Sequence, residues 1–294
     1  MKHATRIPIA GVHSPVYHVS DTSSTLDLAA ALLTDTTTAT PHLTTIIADH
    51  QSAGRGRLGR TWTTPDGQAL LASTIVSLPT SFPTEMLGWL VHACALSVRD
   101  ALSPRLSPLG HTVSLKWPND VLVDGARKIC GVLAQLAPAS SPFTTSAILG
   151  YGINIAQDSD HLATPQATSL YAEGDTEAGA NPTSVSHTLL AQILTGLDSR
   201  IRGLVTHGNA RDCGLADEAA NALPLLGTRI ALAKPTDPNG HPAMEGVALG
   251  LSPTGSLLVR TDDGRTHDIN AGDVLATGIP LTTVHDTKEK RANN

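Results

Sequence analysis

The chain has 294 residues, 40% hydrophobic and 16% charged, which is too long for one small module and apolar enough for a substantial core. Twenty Lys and Arg stand against 26 Asp and Glu, a net charge of −6, which argues against a general nucleic-acid binder, since such proteins carry a basic face. Cys94, Cys130 and Cys213 form no CxxC pair, and no run approaches a signal-peptide core or the ~20 apolar residues of a membrane span. A soluble cytoplasmic protein is expected, without a disulfide framework or a structural zinc site.

Residues 1–13 read as a flexible arm. "DTSSTLDLAAALL" (21–33) joins cap-forming residues to an apolar run and predicts a helix start. A threonine-rich loop (34–41) leads to a strand over 43–50, then to the loop "SAGRGRLGRTW" (52–62) and a buried strand over 69–78. Leu87, Leu90, Val91, Cys94 and Val98 recur at helical spacing between residues 85 and 102. Over 113–136, two apolar segments flank "DGAR" (124–127), a hairpin signal. A loop (137–146), a strand (147–156) and a polar insertion (172–182) precede a helix over 183–205, with a stripe of Val185, Leu189, Ile193, Leu197, Ile201 and Leu204. Beyond residue 222, short apolar runs alternate with Asn-Gly, Thr-Gly and Asp-Gly turns. They predict a small β-barrel as a second domain over 222–280, after a main domain over 14–221 and before a disordered tail, 281–294.

In the 52–62 loop, Arg55, Arg57 and Arg60 alternate with Gly54, Gly56 and Gly59. Glycine permits unusual backbone angles and close approach to a ligand, and each Arg offers a forked charged donor to phosphate or carboxylate, worth roughly 1.5–3 kcal/mol. The plain alternative is a solvated turn or an RGG-type RNA contact, but those come as repeats and this motif is single. "KWPNDV" (116–121) and "GARKICGV" (125–132) place Lys116, Asn119, Asp120 and Lys128 at the ends of one hairpin, where they can converge; either motif alone reads as edge charges and a turn. "GYGIN" (150–154) is a poor dinucleotide fingerprint, there is no GxxxxGK[ST] or HExxH, and the 13 histidines are scattered. Cys130 reads as a small buried hydrophobe.

Taken in order, "SSTL", "QSAGRGRLGRTW", "KWPNDV", "RKICGVL" and "GYGIN", followed by a β domain, resemble biotin protein ligases over about residues 14–280. The resemblance implies an α/β (α+β) fold, a mixed sheet flanked by helices as in class II synthetases, with an SH3-like β-barrel C-terminal domain. It implies that biotin and MgATP give biotinoyl-5′-AMP, and that biotin then passes to a lysine of a carboxyl carrier protein or domain of an acetyl-CoA, acyl-CoA or pyruvate carboxylase. Ser24, Thr25, Gln51 and the loop Gly54, Arg55, Gly56 and Arg57 then match biotin contacts. Lys128 matches the essential lysine that reaches the biotin carboxylate and the α-phosphate. Arg55, Arg57, Trp62, Lys116, Asn119 and Asn154 fall on the ATP side, with Trp62 as the adenine-stacking aromatic. Mg2+ is expected to arrive with ATP near Asn119 rather than in a side-chain cluster. Leu26 departs from the family's usual Asn.

The chemistry needs such residues. A carboxylate must attack an anionic phosphate, and two unit charges 4 Å apart repel by about 4 kcal/mol at an effective dielectric of 20. Arg55, Arg57, Lys128 and Mg2+ would offset that repulsion. In the transfer step the acceptor lysine, with a free pKa of about 10.4, must lose a proton, and Asp120 is the candidate base. Two alternatives remain. A lipoate–protein ligase shares the fold but usually carries an Arg-Arg, triple-glycine signature not found here. A DNA-binding biotin-responsive regulator uses an N-terminal winged helix, for which the arm before Ser24 shows no helical pattern. No nucleic-acid or membrane partner is expected, and the chain is expected to be a monomer or homodimer.

Overall fold

The structure is a computed structural model and describes residues 4–35, 39–141, 144–233 and 242–279. Strands β1 (Thr5–Ile7), β2 (Val16–Thr22), β3 (Thr45–Gln51), β4 (Ala69–Pro79), β5 (Val113–Lys116), β6 (Asp120–Val123), β7 (Arg127–Ser141) and β8 (Thr144–Asn154) form one mixed sheet, ordered β1-β2-β3-β4-β8-β7-β6-β5. β2 and β3 run parallel, which requires a crossover, and helix α1 (Thr25–Thr34) supplies it. The expected arm is in part an edge strand, because Thr5, Arg6 and Ile7 pair with His18, Tyr17 and Val16. Three residues carry too little periodicity to announce that pairing.

The strands alternate between two faces. On one, Leu70, Ala72 and Val76 of β4 and Leu149, Tyr151 and Ile153 of β8 pack against helices α2 (Leu87–Leu106) and α4 (Pro182–His207). The α4 stripe from Val185 to Leu204 is buried as its spacing predicts. On the other face, Leu26, Ala29 and Leu32 of α1 join Ile46, Ile75 and Ile148. Beyond α1 this face carries Gly131, Gly150 and Gly152, with Gly131 paired to Gly152 and Leu133 to Gly150. Two short helices escaped the sequence reading: α3 (Thr176–Ala180), inside the polar insertion, and α5 (Leu215–Ala222).

The second domain holds β9 (Arg229–Ala233), β10 (Pro242–Leu251), β11 (Leu257–Arg260), β12 (Thr266–Ile269) and β13 (Asp273–Ile279) in an antiparallel sheet ordered β12-β11-β10-β9-β13. Among the described residues no ladder joins β12 to β13, so an open sheet stands where a barrel was expected. The turns at Gly255 and Gly264 have positive φ, as their Thr-Gly and Asp-Gly pairs imply. The Asn-Gly turn at 239–240 and the tail at 281–294 lie outside the described residues.

The β10–β11 turn docks on α2. Trp89 Nε1 donates to the Pro253 carbonyl at 2.8 Å, and His92 Nε2 donates to that of Gly255 at 2.9 Å. A Cβ on Gly88 would stand 2.7 Å from the Thr254 oxygen, so only glycine allows this approach. Burial holds the His92 imidazole below its ordinary pKa.

Candidate active site

A cavity of about 370 Å³ opens on the glycine-lined face. Every site residue expected from the sequence lines it except Gly54: Ser24, Thr25 and Gln51 at one end, Arg55, Gly56, Arg57 and Trp62 above, and Lys116, Asn119, Asp120, Lys128 and Asn154 along the sheet. The two ends of the hairpin converge, as the spacing suggested. Lys116 pairs with Asp120, Asp120 with Gly131, and Gly131 with Gly152, and partners in a ladder share a face.

Lys128 reaches this face through an irregularity. Cys130 and Val132 point into the core, and strict alternation would send Lys128 with them. The β6–β7 register shifts there, pairing Val121 with Cys130 but Leu122 with Lys128, so Ile129 is an extra residue and the parity reverses. The Lys128 backbone is taken by a segment that the sequence reading missed: its N–H donates to Gln166 O at 2.7 Å and its C=O accepts from Thr168 N at 2.8 Å. The ammonium lies 2.6 Å from Asp120 Oδ1, off the line of a hydrogen bond, so the attraction is coulombic. It also sits 5.6 Å from the centre of the Trp62 ring.

The arginine loop is a folded lariat. Trp62 N donates to Gly54 O at 2.9 Å and Gly56 N to Arg60 O at 2.7 Å, around a 3-10 turn over Arg57–Gly59. Positive φ falls on Leu58 and Gly59, not on Gly54 or Gly56. Gly54 is needed for close approach instead, because a Cβ there would lie 2.3 Å from the Trp62 oxygen. It therefore packs behind the residues that line the cavity. Each arginine has a partner on a different element: Arg55 pairs with Asp27 of α1 at 2.6 Å, Arg57 donates to Asn119 Oδ1 at 3.2 Å, and Arg60 pairs with Asp273 of β13. Burial pulls the Arg57 guanidinium below its ordinary value, opposed by Asp273 and Asp120.

At the other end, Ser24 caps α1, its side chain accepting from Leu26 N. Gln51 Oε1 accepts from Thr25 N at 2.7 Å and from Thr25 Oγ1 at 3.1 Å, which orients the amide. Leu26 lines the pocket with apolar surface, against Gly150. Trp62 lies over Gly152 and Gly131, and its Nε1–H is buried without a hydrogen-bond partner among the described residues. Asn119 and Asn154 are both anchored: Asn119 Nδ2 donates to Val132 O, and Asn154 Nδ2 to Thr168 O.

Sequence reasoning missed Arg60, Leu133, Ala163, Thr164, Ala167, Asp273 and Val274 in the lining. Arg60 stood in the quoted motif; the 163–168 segment has no motif, and Asp273 comes from the second domain. Among the described residues, His111, Asp124 and Glu173 are grouped closely enough to hold a metal, but they lie outside this lining and Arg127 already bridges the two acids.

Residues 20–154 match the biotin/lipoate A/B protein ligase family, and residues 236–275 match the biotin protein ligase C-terminal domain. The biotin–[acetyl-CoA-carboxylase] ligase of Mycobacterium tuberculosis is 33% identical over 230 residues, covering 78% of this chain and 77% of that protein. The bifunctional ligase/repressor BirA of Bacillus spizizenii is 30% identical over 227 residues, which span 76% of this chain but 63% of that protein. A biotin protein ligase from Aquifex aeolicus, solved in complex with biotin and ATP, aligns with 90% of this chain and 98% of its own at a TM-score of 0.63 and 24% identity, a likeness of fold. With the sequence match over both domains and the lysine-bearing pocket on the sheet, this chain belongs to the biotin protein ligases of the biotin/lipoate A/B protein ligase family.

Proposed function

We propose that the protein is an ATP-dependent biotin protein ligase working in the cytoplasm on a biotin carboxyl carrier protein or domain. The observation that carries this reading is Lys128. A bulge turns it out of the core and into a pocket that has oriented amide and hydroxyl groups at one end and cations at the other.

A biotin carboxylate oxygen attacks the α-phosphorus of ATP, the new O–P bond forms, the bond to the β-phosphate breaks, and pyrophosphate leaves. Lys128 is the cation we assign to the carboxylate and α-phosphate, and its place on a strand fixes that charge in space. Gln51, Thr25 and Ser24 suit the polar ureido head, with Leu26 and Leu133 against the ring carbons. Arg55, Arg57 and Lys116 face the phosphates, and release of Arg55 from Asp27 frees it for the ligand. Trp62 has one face on the glycines and offers the other to adenine. In transfer, the acceptor amine attacks the acyl carbon, AMP leaves, and Asp120 takes the amine proton.

The site oxygens suit a Mg2+ carried by the triphosphate, which prefers hard oxygen donors and keeps several waters. Asp120 Oδ1, now 2.6 Å from the Lys128 ammonium, and Asn119 Oδ1, which accepts from Arg57, are the lining oxygens that could hold it once those cations turn to the ligand. Bound there, the ion would neutralise phosphate charge.

The test is biotin-dependent exchange of labelled pyrophosphate into ATP. Exchange that requires biotin, ignores lipoate and collapses in Lys128→Ala is expected; exchange with lipoate instead would reassign the substrate, and none with either acid would overturn the reading.

A further inference from the structure

We infer that Asp273, a residue of the second domain, positions the arginine loop of the first domain by acting through Arg60. The inference rests on the ligase reading and adds a role for the C-terminal sheet within it.

Asp273 begins β13, where it pairs with Ala233 of β9, and its carboxylate meets the Arg60 guanidinium at the pocket rim. Its neighbour Gly272 lies against the buried Trp117 of the β5–β6 turn; a Cβ on Gly272 would stand 3.9 Å from Trp117 Cζ3. The acid is therefore held by its own sheet, close to the turn that carries Asn119. A second support lies further off, where Trp89 and His92 hold the β10–β11 turn on α2. A carboxylate fixed this way is a rigid anchor for a loop side chain.

The loop needs one. Arg60 is 62% exposed at its side chain, and its backbone closes the turn that presents Arg57: Arg60 O accepts from Gly56 N, and Arg60 N donates to Arg57 O. Tethering Arg60 therefore fixes the whole lariat over the pocket. The tether matters most once pyrophosphate has left. The acyl adenylate carries less charge than the triphosphate and attracts the arginines less, so closure over it depends more on contacts within the protein. Asp273 is a positioning residue that touches no reacting atom, and its contribution lies in keeping the adenylate in place until the acceptor arrives.

The experiment compares the full-length wild type with Asp273→Asn, Asp273→Glu, Arg60→Gln and the double variant Asp273→Asn/Arg60→Gln. Hydrogen exchange of residues 54–62 is followed first, in the ligand-free protein. Faster exchange confined to this loop is expected in Asp273→Asn and Arg60→Gln, with no further increase in the double variant and near-normal exchange in Asp273→Glu. Biotin and MgATP are then added, and loss of the labelled adenylate is timed by a chase. Severalfold faster loss is expected in the same variants, with little change in the KM for biotin. Unchanged loop exchange and adenylate retention in Asp273→Asn would overturn the inference, as would fully additive effects or accelerated exchange throughout the second domain. If the wild type forms no adenylate the ligase reading falls, and the loop-exchange measurement still decides whether Asp273 tethers the loop.

Discussion

Lys128 and Gly131 face the pocket together, three positions apart on one strand, and a Cβ added to Gly131 would lie 3.2 Å from the Lys128 ammonium and 3.3 Å from Trp62 Cζ3. The missing side chain is what lets the cation and the indole share the floor. Gly131→Ala is expected to shift both by a few tenths of an ångström and to lower biotin-dependent pyrophosphate exchange severalfold. Circular dichroism should stay that of the wild type.

Gly152→Ala is more severe. Its Cβ would fall 2.5 Å from Trp62 Cε2, so the indole must leave the sheet. Trp89 is buried away from the pocket but Trp117 lines it, so tryptophan emission is compared in a Trp117→Phe background, where a change reports on Trp62. Emission and adenylation equal to the wild type would show that the ring does not rest there.

Asp120 pairs with Lys128 in the ligand-free pocket and is the candidate base for transfer. Asp120→Asn is expected to slow single-turnover transfer from preformed adenylate about 10²-fold or more, the ordinary contribution of general base catalysis. A rise in rate as pH approaches the free lysine pKa of about 10.4 would partly compensate. Slow adenylate formation with normal transfer would remove Asp120 from the role.

Leu26 is 6% exposed, and a Cβ on Gly150 would lie 2.9 Å from its Cδ2. Leu26→Asn places an amide among Ala29, Ile46 and Ile148, and a loss of about 1–3 kcal/mol in urea unfolding is expected. Biotin binding by calorimetry should weaken but persist, because an apolar contact to the ring carbons is lost while the Gln51–Thr25 pair is untouched.

His92 gives a pH dependence of known sign. Burial lowers its pKa in the folded state below the ordinary 6.5, so below that pH the unfolded chain binds more protons. Stability is fully present above about pH 6.5 and falls as pH drops, by at most about 1.4 kcal/mol per pH unit for one group. His42 and His187 are lowered by burial as well, so the readout is the difference between wild type and His92→Gln in urea unfolding at pH 7.5 and pH 5. A variant with the same slope as the wild type would assign the dependence elsewhere.

The sequence by itself determined the core and the cast of the site. The α4 stripe at helical spacing, the strand around "ALLASTIVSL" and the Asp-Gly hairpin are local patterns, and local physics reads them. The charged and amide residues of the motifs named Arg55, Arg57, Lys128 and Asn119, and the resemblance to biotin protein ligases added Gln51. Tertiary structure decided which of them face the same way. The side of a strand on which Lys128 emerges depends on one inserted residue, Ile129, and at the same place the 166–168 segment takes the Lys128 backbone. No spacing rule contains that pairing. Gly54, named from its motif as a ligand contact, also makes room for the Trp62 backbone, a need its motif does not show because the chain it accommodates lies eight residues ahead. Asp273 is further still from the loop it meets: 213 residues separate it from Arg60, and only the docking of one domain on the other brings the two charges together.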